Sequence, residues 1–389
     1  MRIVVVDDNP MNVTVVQEIL KRAGYTDILA ASSGMELFKL LGLENDGREP
    51  TVPGTDDHGV DLILMDMMMP GVDGIYACRA VYESERLRDI PIIMVTAIGD
   101  SKKLAEALDA GAIDYVTKPI NRIELLARIR VALRLKEQKD WHKERDRRVR
   151  EELQLAREVQ SAVLPHHLGE DGIRIEAIYR PSEELSGDLY AWHRIDRNRY
   201  GVAVIDAMGH GISSSLVCMF IASVLKDAMA KLVDPQLVVL ELNRRSQQLQ
   251  FADQLIQYYF TALYMVVDLE KKQVEYVNAG HPAGMLIRGT DGSVVPFAQG
   301  GIAIGMFDQI QVEKHTIDIA AGDRIVLVTD GIFDLVTGAE EEEDQLGRLA
   351  DVLRPFGGSV PPEELERHLF HQDDSNRQDD RCLVMVDIL

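Results

Sequence analysis

Along the first third of the chain, short apolar runs alternate with stretches of mixed polar and apolar residues. The runs are Ile3–Val6, Leu62–Met65, Ile92–Val95 and Tyr115–Val116, and each gives way to polar residues. Strands buried on both faces read as continuous apolar runs, so the pattern predicts a parallel sheet wrapped by helices. Residues 1–121 are therefore expected to form an α/β doubly wound domain around a five-stranded parallel sheet. Between Glu44 and Gly59 the segment ENDGREPTVPGTDDHG is polar and rich in turn formers, which predicts a surface loop.

From Ile120 to Leu164 there is no Gly or Pro, and Arg, Lys, Glu and Leu dominate. This predicts a helical linker over residues 122–165, roughly 65 Å long at about 1.5 Å per residue, ended by Pro165. Val149, Leu153, Ala156, Gln160 and Val163 fall at four-three spacing, but over only about two heptads, fewer than a coiled coil needs. A solvated connector and a homodimer joined through this coiled-coil-like helix both stay open. Beyond Ile173 the pattern changes to longer strand-like runs, Gly201–Ile205, Thr261–Asp268, Gln273–Asn278, Arg324–Thr329 and Cys382–Ile388. Helical stretches lie between them at Ser213–Leu232 and Pro235–Phe251. Residues 166–389 thus read as an α+β domain with largely antiparallel sheets and helices outside.

The balance of charge narrows the function. A net charge of −22 repels a polyphosphate backbone, so no nucleic-acid partner is expected. No apolar run appears long enough to span a bilayer, and Met1 leads into a strand without a signal-peptide layout, so no membrane partner and a cytoplasmic location are expected. Cys78, Cys218 and Cys382 are too few and too scattered for a disulfide framework or a zinc site. An arginine six places after a nucleophilic cysteine would cradle phosphate, but Ser84, Val224 and Ile388 stand there, which closes the cysteine-phosphatase route.

Two sets of aspartates carry the chemistry. In the first half, Asp7 and Asp8 follow the first apolar run, Asp66 ends the third predicted strand, Thr96 follows the fourth and Lys118 the fifth. The carboxyl ends of parallel strands face one crevice, so these residues are predicted to converge. Carboxylates gathered there repel one another unless a hard cation such as Mg2+ lies between them. Asp66 is then the candidate phosphoacceptor, with Lys118 and the Thr96 hydroxyl on the phosphoryl oxygens. Taken singly, each piece also reads as a cap, a strand end or a turn. Lys118–Pro119 is a candidate cis peptide. As a set, residues 1–130 resemble the receiver domain of two-component response regulators. The resemblance implies that a cognate histidine kinase phosphorylates Asp66, that Asp7, Asp8, Asp66 and the Met68 carbonyl hold Mg2+, and that Thr96 and Tyr115 carry the switch. The loop before Val60 departs from the family pattern.

In the second half, Asp188 (SGDLY), Asp206 (VAVIDAMGHG), Asp330 (IVLVTDG) and Asp379 with Asp380 (QDDRCLVMV) stand at the ends of apolar runs. Gly209, Gly211 and Gly331 let the backbone turn sharply beside them. Two hard cations held by such a set lower the pKa of a water and hold phosphate for in-line attack; any one Asp-Gly pair reads equally as a turn. The segments LAREVQSAVLP, RPSEELSGDLY, IDAMGHG, YFTALYMVVDLEKKQVEYVNAGHP, GDRIVLVTDGIFD and QDDRCLVMV resemble the RsbU/SpoIIE-type branch of the metal-dependent (PPM) protein phosphatases. That resemblance covers residues 151–389. It implies a β-sandwich flanked by helices and two Mn2+ or Mg2+ ions bridged by Asp206, assisted by the Ala207 carbonyl, Asp188, Asp330, Asp379 and Asp380. It further implies catalytic roles for Asp206, Asp330 and Asp379, and as substrate a phosphoserine or phosphothreonine on a STAS-type anti-sigma-factor antagonist. Ser186, Ala191, Met208 and Asp334 depart from the family pattern, and Ala191 leaves an accessory third metal open. A catalytically degenerate domain acting as a phospho-regulated scaffold is the rival. His210 and His281 are candidate general acids that read more readily as loop-structuring residues, and Arg180 reads as either a phosphate contact or a surface arginine.

Overall fold

The structure is a computed structural model and describes residues 1–44, 46–48, 59–97, 101–249, 258–298, 300–333, 342–356, 362–369 and 379–389. Most of the polar insertion before Val60, Asp334, and Glu340 with Glu341 lie outside these residues. The chain divides into two compact units, Met1–Val149 and Arg150–Leu389.

The first unit alternates strand and helix: β1 (Arg2–Val6), α1 (Pro10–Arg22), β2 (Asp27–Ala31), α2 (Gly34–Leu41), β3 (Val60–Asp66) and α3 (Gly74–Glu83). It continues through β4 (Ile92–Ala97), α4 (Ser101–Asp109), β5 (Asp114–Lys118) and the start of α5 (Arg122–Val163). The strands form one parallel sheet in the order β2-β1-β3-β4-β5. Side chains alternate across a strand: Val4 and Val6 pack with Phe38 and Ala77, and Ile3 and Val5 with Leu20 and Ile129. Both faces are apolar, so the strands read as unbroken hydrophobic runs. The topology reverses between β1 and β3, and the crevice beyond their carboxyl ends is where such sheets hold ligands. Asn9 starts α1 by accepting from Met11 N, ahead of Pro10. Asn121 starts α5 in the same way, accepting from Ile123 N and Glu124 N.

The second unit holds β6 (Leu168–Glu170), β7 (Ile173–Arg180), β8 (Asp188–Arg194), β9 (Arg199–Ala207), α6 (Ile212–Leu232), α7 (Pro235–Ser246), β10 (Phe260–Asp268) and β11 (Gln273–Ala279). After these come β12 (Met285–Ile287), β13 (Val294–Pro296), β14 (His315–Asp318), β15 (Arg324–Val328), α8 (Asp330–Phe333), α9 (Glu342–Leu353), α10 (Pro362–Leu369) and β16 (Arg381–Ile388). One sheet runs β14-β11-β10-β9-β8 and the other β13-β12-β15-β16-β7-β6. The two stack as a sandwich, with Val202, Val204, Leu263 and Met265 of one against Ile325, Leu327, Val384 and Val386 of the other. The outer face of the first sheet packs on α6 and α7 through Ala203, Tyr264, Leu225 and Leu242, and that of the second on α9 through Val326, Met385 and Leu349. The α/β and α+β classes read from the sequence are the folds observed.

Two expectations need correction. α6 is long and apolar enough to cross a bilayer by composition, which the sequence reading denied to every segment. Its apolar side chains instead fill the core, where Leu225 and Met229 are buried against the sheet. α7 stops at Ser246, before Phe251, which lies outside the described residues. At its end Asn243 and Gln247 donate from their amides to the carbonyls of Gly305, Phe307 and Asp308.

Candidate functional site

In the first unit the strand ends bring together the predicted acids. Asp7, Asp8 and Asp66 each place a carboxylate oxygen within 4.8 Å of the other two, and among the described residues they form the one such trio found. Lys118 Nζ sits between two of them, 2.9 Å from Asp7 Oδ2 and 2.8 Å from Asp66 Oδ1. Asp7 also accepts at Oδ1 from Asn9 N and from Asn12 Nδ2, which fixes its orientation. Burial drives the Asp66 carboxyl above the usual range, against the lowering pull of Lys118. Gly74 packs so closely on this turn that a Cβ there would lie 2.1 Å from the Asp66 carbonyl.

The two residues expected to carry the switch stand on the neighbouring strands β4 and β5. Thr96 is buried at the end of β4, and its hydroxyl donates to the Ala97 carbonyl at 3.1 Å. Tyr115 on β5 is half-buried against the core, with the Arg128 guanidinium 5.6 Å over its ring. Met68 is exposed, and Lys118–Pro119 is cis.

In the second unit the acids sit at one end of the sandwich. Asp188 opens β8 and faces Asp206 across the β8/β9 ladder, while Asp330 and Asp379 flank the paired ends of β15 and β16. Asp188 is 2% exposed. Burial first, and then the Asp206 charge, raise its carboxyl far above the ordinary range. Asp206 is raised for the same first reason, followed by the charges of Asp330, Asp379 and Asp380. Asp330 is exposed at the head of α8 and caps Gly331 N at 2.9 Å. A Cβ on Gly331 would lie 2.1 Å from the Asp380 carbonyl, so only glycine lets these two turns touch. A Cβ on Gly187 would lie 2.9 Å from the Gly209 carbonyl and 3.0 Å from that of Ala207, which brings two more oxygens beside Asp188.

The paired acids 379 and 380 differ in surroundings. Asp380 is buried and accepts from Ser182 N, Ser182 Oγ and Gly187 N, so both its oxygens fasten the loop ahead of β8. Asp379 is half-buried and accepts at one oxygen from Asp380 N. His281 is buried with Nδ1 2.8 Å from the Thr261 hydroxyl, and burial pushes it down to about 4. His210 is exposed and pairs with Glu183. Arg180 pairs with Glu366 of α10 at 2.6 Å.

Two residues in this neighbourhood escaped the sequence reading. Thr329 is fully buried and donates from Oγ1 to Asp188 Oδ2 at 2.7 Å while accepting from Cys382 N at 2.9 Å. Gln160 binds the backbone of Ser186 from the end of α5. A polar residue inside the apolar stripe of that helix was the available signal.

Comparison with known proteins separates the same two parts. A family model described as Stage II sporulation protein E (SpoIIE) matches residues 196–389, and one described as Response regulator receiver domain matches residues 3–130. The phosphoserine phosphatase RsbP of Bacillus subtilis is 32% identical over 241 residues, which cover 61% of this chain and 58% of RsbP. The DNA-binding dual master transcriptional regulator RpaA of Synechocystis is 37% identical over 133 residues, covering 34% of this chain and 49% of RpaA. Among solved structures, the SiaA-PP2C domain of Pseudomonas aeruginosa aligns with a TM-score of 0.51 at 21% identity, covering 63% of this chain and 98% of that domain. The last likeness is one of fold. The chain thus spans between about half and three fifths of the curated relatives named.

Proposed function

For a chain that joins a response regulator receiver domain to a SpoIIE domain, we propose the activity of a divalent-metal-dependent serine/threonine phosphoprotein phosphatase controlled by phosphorylation of Asp66. The observation that carries this reading is the gathering of Asp188, Asp206, Asp330 and Asp379 at one sandwich end, where burial and mutual repulsion raise both Asp188 and Asp206. Repelling carboxylates without a cationic side chain among these causes suit hard divalent ions. Asp206 faces Asp188 across the ladder and feels the charges of Asp330 and Asp379, which suits a bridging role, with the Ala207 carbonyl assisting. Asp380 fits a clamp better than a ligand, because three donors already occupy its carboxylate. Bound Mn2+ or Mg2+ would supply an ionised water at neutral pH and neutralise phosphoryl charge. The chain's part is to hold the carboxylates in register and to present a shallow exposed approach at Asp330 and Met208. The name of RsbP, a phosphoserine phosphatase, supports phosphoserine as the substrate; its carrier in this proposal is an anti-sigma-factor antagonist of the STAS type.

In the receiver, an Asp66 oxygen would form a bond to phosphorus as the phosphorus–nitrogen bond of a kinase phosphohistidine breaks and the imidazole takes up a proton. Lys118, in contact with Asp66, would neutralise the phosphoryl group, and the converging carboxylates of Asp7, Asp8 and Asp66 would hold a Mg2+, with the Met68 carbonyl assisting. A histidine kinase partner, a cytoplasmic setting, and a homodimer through the exposed Leu155, Val159 and Val163 of α5 belong to the same proposal. The direct test is release of phosphate from a phosphoserine protein with Mn2+, measured with and without beryllofluoride on Asp66. Hydrolysis that disappears in Asp206→Asn and responds to beryllofluoride supports the reading. Mn2+ uptake without any hydrolysis would leave only a binding scaffold.

A further inference from the structure

The segment that delivers Asp188, the most deeply buried of the second unit's four proposed carboxylate ligands, is held by a side chain from the last turn of α5. Gln160 is 5% exposed on a helix whose neighbouring residues face water. Its Nε2 donates to the Ser186 carbonyl at 2.7 Å, and its Oε1 accepts from Ser186 N at 3.1 Å. A primary amide carries a donor and an acceptor side by side, so it pairs with both halves of one residue's backbone as a neighbouring strand would. Ser186 then accepts at Oγ from Asp188 N at 3.0 Å. Next along, Gly187 N donates to Asp380 at 2.7 Å, and the Gly187 carbonyl accepts from Ala207 N at 3.0 Å. The three residues are therefore stretched between α5 on one side and the Asp380 and Ala207 turns on the other.

From this geometry we propose that Gln160 is a positioning residue for divalent-cation binding. Its amide fixes Ser186, and Ser186 fixes the backbone from which the Asp188 carboxylate meets Asp206. Groups that orient ligands from behind typically cost about 10- to 100-fold in metal affinity when removed, and a two-bond tie on a buried backbone fits that class. Leu164, also at the end of this helix, packs in the core with Leu189 and Ala207 but makes no polar tie, so it separates packing from positioning.

The inference rests on Asp188 being a ligand, and the experiment keeps the two apart. Mn2+ is titrated calorimetrically into the full chain carrying Asp8→Asn, which silences the receiver's own ion site. Gln160→Met keeps length and bulk and removes both hydrogen-bonding groups. It is expected to weaken Mn2+ binding by about tenfold or more, while turnover of p-nitrophenyl phosphate at saturating Mn2+ recovers. Gln160→Glu, which keeps an acceptor for Ser186 N and fits the same space, is expected to fall between it and the parent, and serves if the methionine variant does not fold. Leu164→Ala should lower the melting temperature and leave Mn2+ affinity unchanged. Parental Mn2+ affinity in a folded Gln160 variant, or an equal loss in Leu164→Ala, overturns the proposal. Unchanged affinity in Asp188→Asn would instead remove the ligand reading beneath it.

Discussion

Burial first, and then the charges of the acids around it, raise the Asp206 carboxyl above the ordinary range, to about 7, and the sign of the consequence can be worked out. A raised folded-state value means that the protonated form is the comfortable one in the fold. Its contribution to stability is present below the ordinary carboxylate pKa of about 4 and is lost as pH rises toward 7. Metal-free protein should therefore melt at lower temperature at pH 8 than at pH 5.5, by scanning calorimetry of the transition that Mn2+ shifts. Asp206→Asn should flatten that slope, raise the metal-free melting temperature at pH 8 and abolish the Mn2+ shift. A slope unchanged in the asparagine variant would show that Asp206 is not the group responsible. Thr329 gives a second test at this scale. Thr329→Val keeps shape but removes the donor to Asp188 and the acceptor for Cys382 N, at a cost of roughly 1–3 kcal/mol for the groups left unpaired. The expected result is a lower melting temperature together with weaker Mn2+ binding, where a purely structural threonine would change only the first. In the receiver, Lys118 bridges two carboxylates that are both nearly buried. Lys118→Met should cost about 3 kcal/mol in denaturant melts without metal, and Mg2+ should restore part of it.

At the level of elements, α5 reaches from the receiver core to Gln160. Leu125 and Ile129 anchor its first turns, and Lys139 and Lys143 hold Asp89 of the α3–β4 connection. Its middle is polar, with Trp141 exposed and covered by Arg145 at 5.5 Å. A proline at Glu144, a partly exposed mid-helix position, should break the ladder at a local cost of about 3 kcal/mol or more. Both units should keep their folds by circular dichroism while hydrolysis stops responding to beryllofluoride; a retained response would show that helix continuity is not needed. This helix was legible from its composition, as were the buried strands, because an unbroken apolar run needs no partner to be recognised. β2 was not singled out: DILAA is an edge strand with one exposed and three half-buried residues, too weakly apolar to stand out. The aspartates at strand ends could be named individually, but their division of labour could not. Thr329 meets Asp188 from 141 residues away, and Asp380 becomes a clamp only because Ser182 and Gly187 fold against it. Of the stripe read on α5, Val149 and Val163 are exposed, whereas Gln160 is buried and binds Ser186.

For the molecule as a whole, the proposal that a phosphoryl group on Asp66 governs hydrolysis is a statement of linkage between two ion-binding centres in separate units. Linkage is reciprocal: a ligand at one centre that changes affinity at the other must have its own affinity changed by the same factor. Beryllofluoride with Mg2+ occupies the Asp66 side and Mn2+ the Asp206 side, so both directions are measurable on one protein. If beryllofluoride strengthens or weakens Mn2+ binding at the phosphatase centre, Mn2+ should alter beryllofluoride affinity equally, with a coupling of about 1–3 kcal/mol, or roughly 5- to 150-fold. Asp206→Asn should retain beryllofluoride binding and lose its dependence on Mn2+, which excludes competition by Mn2+ at Asp7 and Asp8. Should the two affinities prove independent while beryllofluoride still changes turnover, control acts on the catalytic step or on access of the phosphoprotein, and assembly of the metal centre is not the regulated event.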